Sequence, residues 1–177
     1  MKKVWYLLLA VCLVACENTP EIENEAELEV TPQAAAYYVD LGLTSGTKWK
    51  MYNEIAKEKG TGTEVEFFTY NQAIKYYGAN VPTKDQWQEL IDECQWTWDD
   101  TKKGYNIVGP NSKSIFLPAK GWIHDTNGLI NVGYDGIYWT ATAYDKDYAW
   151  YIYTNPGQKE FSWNDRTWPC TLILVWK

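Results

Sequence analysis

The stretch FSWNDRTWPC, residues 161–170, holds the side chains best suited to binding chemistry in this chain. Asn164 and Asp165 offer amide and carboxylate oxygens, which calcium takes as ligands in sets of about six to eight. Two ligands alone are too few, and an Asn-Asp pair is also a common feature of turns. A calcium site would need oxygens from elsewhere, and further side-chain oxygens in this region include those of Asp145, Asp147, Asn155 and Glu160.

Catalytic chemistry has weaker candidates. The chain's only histidine, His124, precedes Asp125 in GWIHDTNG, but no nucleophile stands at a definable spacing. A solvated turn is therefore favoured over a general base. Cys94 and Cys170 either form a disulfide, which would close a loop of about 75 residues and stabilise by several kcal/mol, or remain two separately buried thiols. We expect no enzymatic activity and no cofactor, with calcium as the one candidate ion.

Residues 1–15 have the layout of a secretory signal, with Lys2 and Lys3, an apolar run and then small residues. The apolar run is too short to span a bilayer as a helix. The sequence L-V-A-C, ending at Cys16, resembles a bacterial lipobox, in which the thiol is diacylated and the signal is removed. We therefore expect lipidation of Cys16 and anchoring in the cell envelope, while an ordinary signal cut elsewhere is the alternative.

Charge distinguishes two further segments. Residues 17–36 contain six glutamates and no basic residue, a composition that predicts a flexible acidic tether. Residues 37–177 carry 17 acidic and 14 basic side chains, so nucleic acids and acidic lipid surfaces are disfavoured as partners. Their length suits one domain with one core.

Two short helices are predicted by the same N-terminal motif. Thr69 is followed three residues later by Gln72, and Thr83 is followed at the same distance by Gln86. In such a capping box the threonine hydroxyl accepts a backbone N–H while the glutamine reaches back to the cap's own amide. Gly78 ends the first helix. The second helix has apolar residues at helical spacing, Trp87, Leu90 and Ile91, and of these Trp87 and Leu90 are expected to face the core.

Strands and turns make up the rest. Residues 37–43 and 47–52 predict a hairpin, as do 105–108 and 114–118, while the glycine-rich segment 119–136 predicts a surface loop. Strands are then expected at 137–144, 148–154, 160–163 and 171–177. The last of these is nearly all apolar, which is typical of a central strand covered on both faces. The predicted fold class is α+β, without a βαβ repeat.

Four segments resemble one known family. They are YVDLGLTSGTKW (38–49), VPTKDQWQELIDECQWTW (81–98), YNIVGPNSKSIFLPAKGW (105–122) and the run from Asn131 through YWTATAYDKDYAWYIY. They are similar to Bacteroidetes lipoproteins that carry the Fibrobacter succinogenes major paralogous domain, within the wider C-type-lectin-like group. The resemblance implies a C-type-lectin-like domain over residues 37–177, with two short helices packed on antiparallel sheets and its termini close together as neighbouring strands. It also implies secretion and outer-membrane anchoring, but no defined reaction.

The resemblance also points to one surface. In this fold the loops of the last hairpins form an exposed recognition edge, and Trp, Tyr and Arg are over-represented at binding hot spots. Packing of Trp163 and Trp168 beneath the loops is the alternative. The candidate residues for the edge are Tyr144, Asp145, Lys146, Asp147, Asn155, Trp163, Asn164, Asp165, Arg166 and Trp168.

We therefore expect a surface-anchored, non-enzymatic lipoprotein that recognises a glycan or a protein through its C-terminal loops. In sugar-binding C-type lectins a W-N-D tripeptide supplies calcium ligands together with an upstream E-P-N loop. Here Asn155-Pro156-Gly157 has no acidic residue before the proline, so calcium is not expected to be essential. The alternatives are a structural or assembly component of the cell envelope and, more remotely, an enzyme of the formylglycine-generating type, which needs a reactive cysteine pair.

Overall fold

The computed structural model describes residues 25–30 and 37–177, and the predicted signal sequence and Cys16 lie outside these ranges. The described residues form a mostly-β α+β fold with two short helices and several antiparallel sheets. The strands are β1 (Leu28–Glu29), β2 (Tyr38–Asp40), β3 (Lys48–Lys50), β4 (Ala56–Glu58), β5 (Glu64–Val65), β6 (Gln95–Asp99), β7 (Gly104–Val108), β8 (Ser114–Pro118), β9 (Trp122–His124), β10 (Gly128–Ile130), β11 (Gly136–Ala143), β12 (Tyr148–Asn155), β13 (Gln158–Asp165) and β14 (Val175–Trp176). The helices are α1 (Tyr70–Tyr77) and α2 (Lys84–Glu93).

Both helices begin with the predicted capping box. The Gln72 amide donates to the Thr69 hydroxyl over 3.1 Å, and the Thr69 amide donates back to the Gln72 side chain over 3.0 Å. Thr83 and Gln86 repeat this exchange at α2, and Gly78 follows α1 as predicted. These hydrogen bonds confirm the predicted caps. The sequence could predict them because a capping box involves residues only three positions apart. Across residues 25–30 and 37–177, no helix is long and apolar enough to cross a membrane.

The predicted hairpins are also present. Strands β2 and β3 pair around the turn at Gly46, and β7 pairs with both β6 and β8. Strands β11, β12 and β13 form an antiparallel sheet with the longest strands of the domain. The predicted loop 119–136 contains a small hairpin of its own, in which β9 pairs with β10.

The β11–β12–β13 sheet separates two hydrophobic cores. The α1 core contains Trp139 and Ala149, and the α2 core contains Tyr138, Ile152 and the fully buried Trp87. Successive residues of a strand point to opposite faces, which is why neighbours such as Tyr138 and Trp139 belong to different cores. The prediction of a single core is therefore replaced by two cores, one on each face of this sheet.

The C-terminal segment runs between these cores. Cys170, Leu172 and Leu174 pack into the α1 core, while Ile173 and Val175 pack into the α2 core. The prediction that this segment is covered on both faces is confirmed, but the prediction of a strand over 171–177 is wrong. Only β14 is a strand, at the edge of the β14–β3–β2 sheet, because the preceding residues make isolated bridges rather than a continuous ladder.

The two ends of the predicted domain lie close together. Strands β2 and β14 both pair with β3, and the rings of Tyr38 and Trp176 are 5.5 Å apart. They are not neighbouring strands as expected, because β3 lies between them. Part of the predicted acidic tether is also folded: β1 pairs with β4, and the Leu28 side chain is buried in the α1 core.

Candidate functional site

The strand register divides the predicted recognition stretch between two faces of the sheet. Trp163 lies directly opposite Trp150, and Asn164 lies opposite Ala149. Cross-strand partners share a face and successive residues alternate between faces. Trp163 therefore lies on the side of the α2 core, whereas Asn164 lies on the side of the α1 core. The two residues do not contribute to one surface as the sequence predicted, whereas Asp165, the last residue of β13, lines a cavity together with Asn164.

A cleft opens on the face of the α1 core. It consists of two cavities of about 440 Å³ and 500 Å³, which share Trp122, Asn164 and Trp168. The first cavity extends towards the turn after β9, and the second extends along β12. We call this region the tryptophan cleft and define it by Trp122, Tyr151, Tyr153, Asn164, Asp165 and Trp168.

Both tryptophans are held in place by their indole N–H groups. Trp122 Nε1 donates to the Asp135 carboxylate over 3.2 Å, and Trp168 Nε1 donates to the Ile123 carbonyl over 3.0 Å. The ring centroids lie 5.7 Å apart at an interplanar angle of 64°. Gly121 introduces β9 with a φ of +76°, and a Cβ there would overlap the Ile130 carbonyl, so the entry to this hairpin requires glycine.

Asp135 fixes the floor of the cleft. Its side chain is buried and accepts hydrogen bonds from Tyr153 Oη and Asn131 Nδ2, each over 2.7 Å, in addition to Trp122. Burial, followed by the hydrogen bond to Asp135, raises the pKa of Tyr153 to about 12. Tyr153 therefore stays protonated and continues to donate to the carboxylate at neutral pH.

Other polar groups in the cleft are available to a ligand. Asn164 Oδ1 accepts the Asp165 amide, and Asp165 Oδ1 accepts the amide and hydroxyl of Thr167. Within the described part of the chain, Asn164 Nδ2 and the Asp125 carboxylate have no hydrogen-bond partner. The cleft thus combines fixed aromatic walls with one amide donor and carboxylate acceptors.

A different aromatic arrangement lies on the opposite face of the sheet. We call it the stacked aromatic cluster and define it by Tyr144, Tyr148, Trp150 and Trp163. The rings of Tyr144 and Trp163 are 5.0 Å apart and 18° from parallel, and Tyr148 meets Trp163 edge-on. Lys84 Nζ, at the start of α2, lies 3.6 Å from the centre of the Trp150 ring. Tyr144 and Trp163 are nevertheless 48% and 46% exposed.

Arg166 and Asp145 hold the intervening turn. The Arg166 guanidinium donates to the carbonyls of Asp145 and Tyr148 and lies 4.9 Å from the centre of the Tyr70 ring. The Asp145 carboxylate accepts the amides of Asp147 and Tyr148, each over 2.8 Å. Arg166 and Asp145 therefore serve the loop itself, while Asp147 is exposed and paired with Lys146.

Asn155 lies far from the rest of the predicted edge. It is paired with Gln158 at one end of the hairpin, whereas Asp165 is paired with Tyr148 at the other end, roughly 23 Å away at about 3.3 Å per residue. Its side chain is buried and bonded to Tyr153 and Gln158. The loop at residues 155–157 is thus not brought to Asn164. In residues 25–30 and 37–177, no group of three or more His, Cys, Asp or Glu is arranged to hold a metal.

The two cysteines are free thiols in different parts of the structure. Cys170 is buried in the α1 core, and Cys94 packs against the α2 core. The structure therefore corresponds to two separate thiols rather than to the disulfide. Burial, followed by the charges of Glu93 and Glu89, raises the pKa of Cys94 to about 11, and burial raises the pKa of Cys170. Both thiols are protonated at neutral pH and are weak nucleophiles.

Several cleft residues were not among the sequence candidates. Tyr151 and Tyr153 follow Ala149 at alternate positions of β12, and this spacing already placed them on one face. Trp122 gave no signal beyond its position after a glycine, because its place depends on the unpredicted β9–β10 hairpin. His124 and Asp125, interpreted as a solvated turn, line the rim of the first cavity. Of the predicted edge, Asn164, Asp165 and Trp168 belong to the cleft.

Comparison of the chain with protein-family models, with curated proteins and with solved structures finds no match. The resemblance in the sequence motifs therefore remains a prediction. The geometry of the two faces of the β11–β12–β13 sheet is the basis on which a function is assigned.

Proposed function

We propose that this chain is a non-enzymatic binding protein that recognises a glycan through the tryptophan cleft. Ligand sites are concave and combine aromatic walls with a few placed polar groups. The rings of Trp122, Trp168 and Tyr151 offer broad apolar surfaces for the C–H faces of sugar rings. Asn164, Asp165 and Asp125 lie beside these rings and offer hydrogen bonds to sugar hydroxyls.

The observation that carries the proposal is that some polar groups of the cleft hold the aromatic rings in place while others have no partner among the described residues. The N–H groups of Trp122 and Trp168 are committed to Asp135 and to the Ile123 carbonyl, so the rings are fixed before a ligand arrives. Asn164 Nδ2 and the Asp125 carboxylate make no hydrogen bond with described residues and can serve a ligand. A preorganised site of this kind loses little conformational freedom on binding.

We also infer that the domain has the C-type-lectin-like fold of the Fibrobacter succinogenes major paralogous domain family. This inference is supported by the motif segments, by two short capped helices and by the closeness of the two ends of the domain, where the rings of Tyr38 and Trp176 are 5.5 Å apart. In this fold family the last hairpins carry the recognition surface, and the cleft includes Asn164 and Asp165 from the last hairpin and Trp168 from the segment that follows it.

A second candidate function is a structural or assembly role in the cell envelope. It is favoured by the stacked aromatic cluster, in which Tyr144 and Trp163 are both about half exposed, because exposed aromatic residues are enriched at protein interfaces. In this case the ligand would be another envelope protein. The partner would contact the face opposite the tryptophan cleft.

A glycan array probed with the purified protein separates the two candidates. The first predicts specific binding to a limited set of glycans and competition by the same glycans in solution. The second predicts no specific glycan signal, together with co-purification of an envelope protein that is lost in Trp163→Ala. Glycan binding that no soluble glycan competes away would contradict the first candidate.

Membrane attachment is proposed separately and rests on the L-V-A-C sequence ending at Cys16. Cys16→Ser removes the thiol that would carry the lipid, so the variant should appear in the soluble fraction after cell lysis. Cys12→Ser is the matched control, because it alters a cysteine inside the predicted signal and should leave the protein with the membranes. A Cys16→Ser protein that stays membrane-bound would rule out the lipid anchor.

A further inference from the structure

We propose that the tryptophan cleft selects uncharged glycans and discriminates against anionic ones, such as those that contain uronic acids, sialic acids or sulfate groups. This inference rests on the proposed function, because it defines the ligand class of the same site. The observations that carry it are the charges that line the two cavities and the hydrogen bonds that each charged group already makes.

The ionisable lining of the cleft is almost entirely acidic. Asp125 and Asp165 line the first cavity and Asp135 lines the second. Among the residues that the structure describes, His124 is the one basic side chain at the rim. Within residues 25–30 and 37–177, no lysine or arginine lines either cavity. A carboxylate is an acceptor without a donor, so this lining complements a ligand rich in hydroxyl groups.

The cationic residues nearest in sequence to the cleft are committed elsewhere. Arg166 follows Asp165 directly, but its guanidinium bonds two backbone carbonyls and lies against Tyr70. Lys120 precedes the β9–β10 hairpin and forms an ion pair with Glu66 over 2.7 Å. An anionic sugar in the cleft would therefore find no lysine or arginine partner among the described residues.

The carboxylates of the cleft should favour binding of neutral sugars over anionic sugars. A neutral sugar donates its hydroxyl protons to Asp125 and to the free oxygen of Asp165. A uronate or sulfate brings a second acceptor to the same place, and like charges repel more strongly in a partly enclosed cleft than in bulk water. Asp135 is already bonded to Tyr153, Asn131 and Trp122, and its remaining negative charge adds to this repulsion.

Isothermal titration calorimetry with length-matched oligosaccharides tests the proposal. The neutral probes are gluco-, manno- and xylo-oligosaccharides, and the anionic probe is an oligogalacturonate. We expect at least one neutral series to bind at least tenfold more tightly than the anionic probe in low salt. The difference should narrow as salt is added, because salt screens repulsion between charges.

Two carboxylates can be neutralised without disturbing the fold. Asp125 makes no hydrogen bond with the described residues, and Asp165→Asn keeps the oxygen that accepts from Thr167. The double variant Asp125→Asn with Asp165→Asn should reduce the tenfold preference to about threefold or less. Asp147→Asn is the matched control, because that carboxylate is exposed on the turn outside the cleft, and it should keep the full preference.

The outcomes separate the two proposals. Tighter binding of the oligogalacturonate would overturn the inference about charge and leave glycan recognition intact. A neutral preference that the double variant does not change would also overturn it, because the carboxylates would then not be its source. Binding of no glycan from any class, on the array or in solution, would contradict the proposed function and the inference with it.

Discussion

The two faces of the β11–β12–β13 sheet are both rich in aromatic side chains, yet they use them in opposite ways. In the tryptophan cleft, Trp122 and Trp168 are anchored by their N–H groups and meet at 64°, which leaves ring surface turned towards the cavities. In the stacked aromatic cluster, Tyr144 lies parallel to Trp163 and covers one of its faces. If the cleft binds the ligand as we propose, the contacts are the less exposed Trp122 and Trp168 and not the more exposed Trp163.

The polar groups around the aromatic side chains also differ between the two faces. The cleft has a buried carboxylate that orients its rings and free polar groups at its rim. On the other face, Lys84 lies over Trp150, and Arg166 and Asp145 complete the adjoining turn. Lys84, Arg166 and Asp145 are thus engaged by other groups of the protein. Under the proposed function the first face receives the ligand, while the contacts on the second face hold α2 and the 145–148 turn.

The largest effect on stability should come from the core beneath the stacked aromatic cluster. Trp87→Ala removes a fully buried ring that meets Trp49 at 4.8 Å, and a truncation of this size costs about 3–5 kcal/mol. Chemical denaturation measures the loss. Trp163→Ala, at the surface of the same face, should cost no more than about 1 kcal/mol. Equal losses of unfolding free energy in the two variants would contradict the assignment of Trp87 on α2 to the core of this face.

The floor of the cleft should give the next largest effect. Tyr153→Phe removes the hydroxyl that donates to the buried Asp135 carboxylate, and loss of one partner of a buried polar group costs about 1–3 kcal/mol. The exposed Tyr134 is the control, and Tyr134→Phe should leave the denaturation midpoint unchanged. A loss in Tyr153→Phe no larger than in this control would contradict the role of Asp135 in fixing the cleft.

The same residue makes stability depend on alkaline pH. The pKa of Tyr153 is raised from 10 to about 12, so the folded state holds the phenolic proton more tightly than the unfolded state does. This contribution is complete below pH 10 and is lost as the pH rises through 12. The difference in unfolding free energy between the wild type and Tyr153→Phe should therefore shrink over that range, as measured by denaturation at fixed pH values. A constant difference would contradict the raised pKa.

The cap of α2 should have a smaller effect. Thr83→Ala removes the hydroxyl that accepts the Gln86 amide and should cost about 1 kcal/mol. The exposed Thr101 is the matched control, because its side chain makes no hydrogen bond with the described residues. If Thr83→Ala and Thr101→Ala have the same melting temperature, the cap of α2 does not contribute to the stability of the domain.

The smallest effect is expected from calcium. Asn164 and Asp165 lie at the rim of the cleft without the oxygens of Asn155, which is at the other end of the hairpin. Millimolar calcium or a chelator should therefore change the melting temperature by no more than about 1 °C, since a ligand stabilises only the state that binds it. A larger calcium-dependent rise that is absent from Asn164→Ala with Asp165→Ala would instead establish a calcium site.

Local features of the fold were predictable from the sequence. Both capping boxes, the glycine after α1 and the β2–β3 and β7–β8 hairpins are encoded within a few residues of one another. The alternation of β12 was also visible, because burial on one face of a strand repeats every second residue. The burial of residues 171–175 on both sides is predicted correctly from their apolar side chains, but the continuous strand is not formed. Apolar composition reports burial on both sides and does not require a hydrogen-bonded ladder.

The candidate site was predictable only in part. Trp168 and Asn164 were selected because they lie in a loop rich in binding residue types. Their partner Trp122 comes from a hairpin far away in the sequence, and no local pattern links the two segments. The separation of Trp163 from Asn164 arises because β13 continues to Asp165, beyond the strand predicted over 160–163, and successive strand residues point to opposite faces. One residue of register decides which face each side chain occupies, and the sequence did not define that register.

Glycan affinity in matched tryptophan variants tests most directly which face binds the ligand. The measurement is the dissociation constant for the best glycan from the array, determined by calorimetry on the wild type, Trp168→Ala and Trp163→Ala. Circular dichroism spectra must first show that both variants are folded. We predict a loss of at least a hundredfold in Trp168→Ala and no more than a twofold change in Trp163→Ala. The reverse pattern would place recognition on the stacked aromatic cluster and contradict the assignment of the tryptophan cleft.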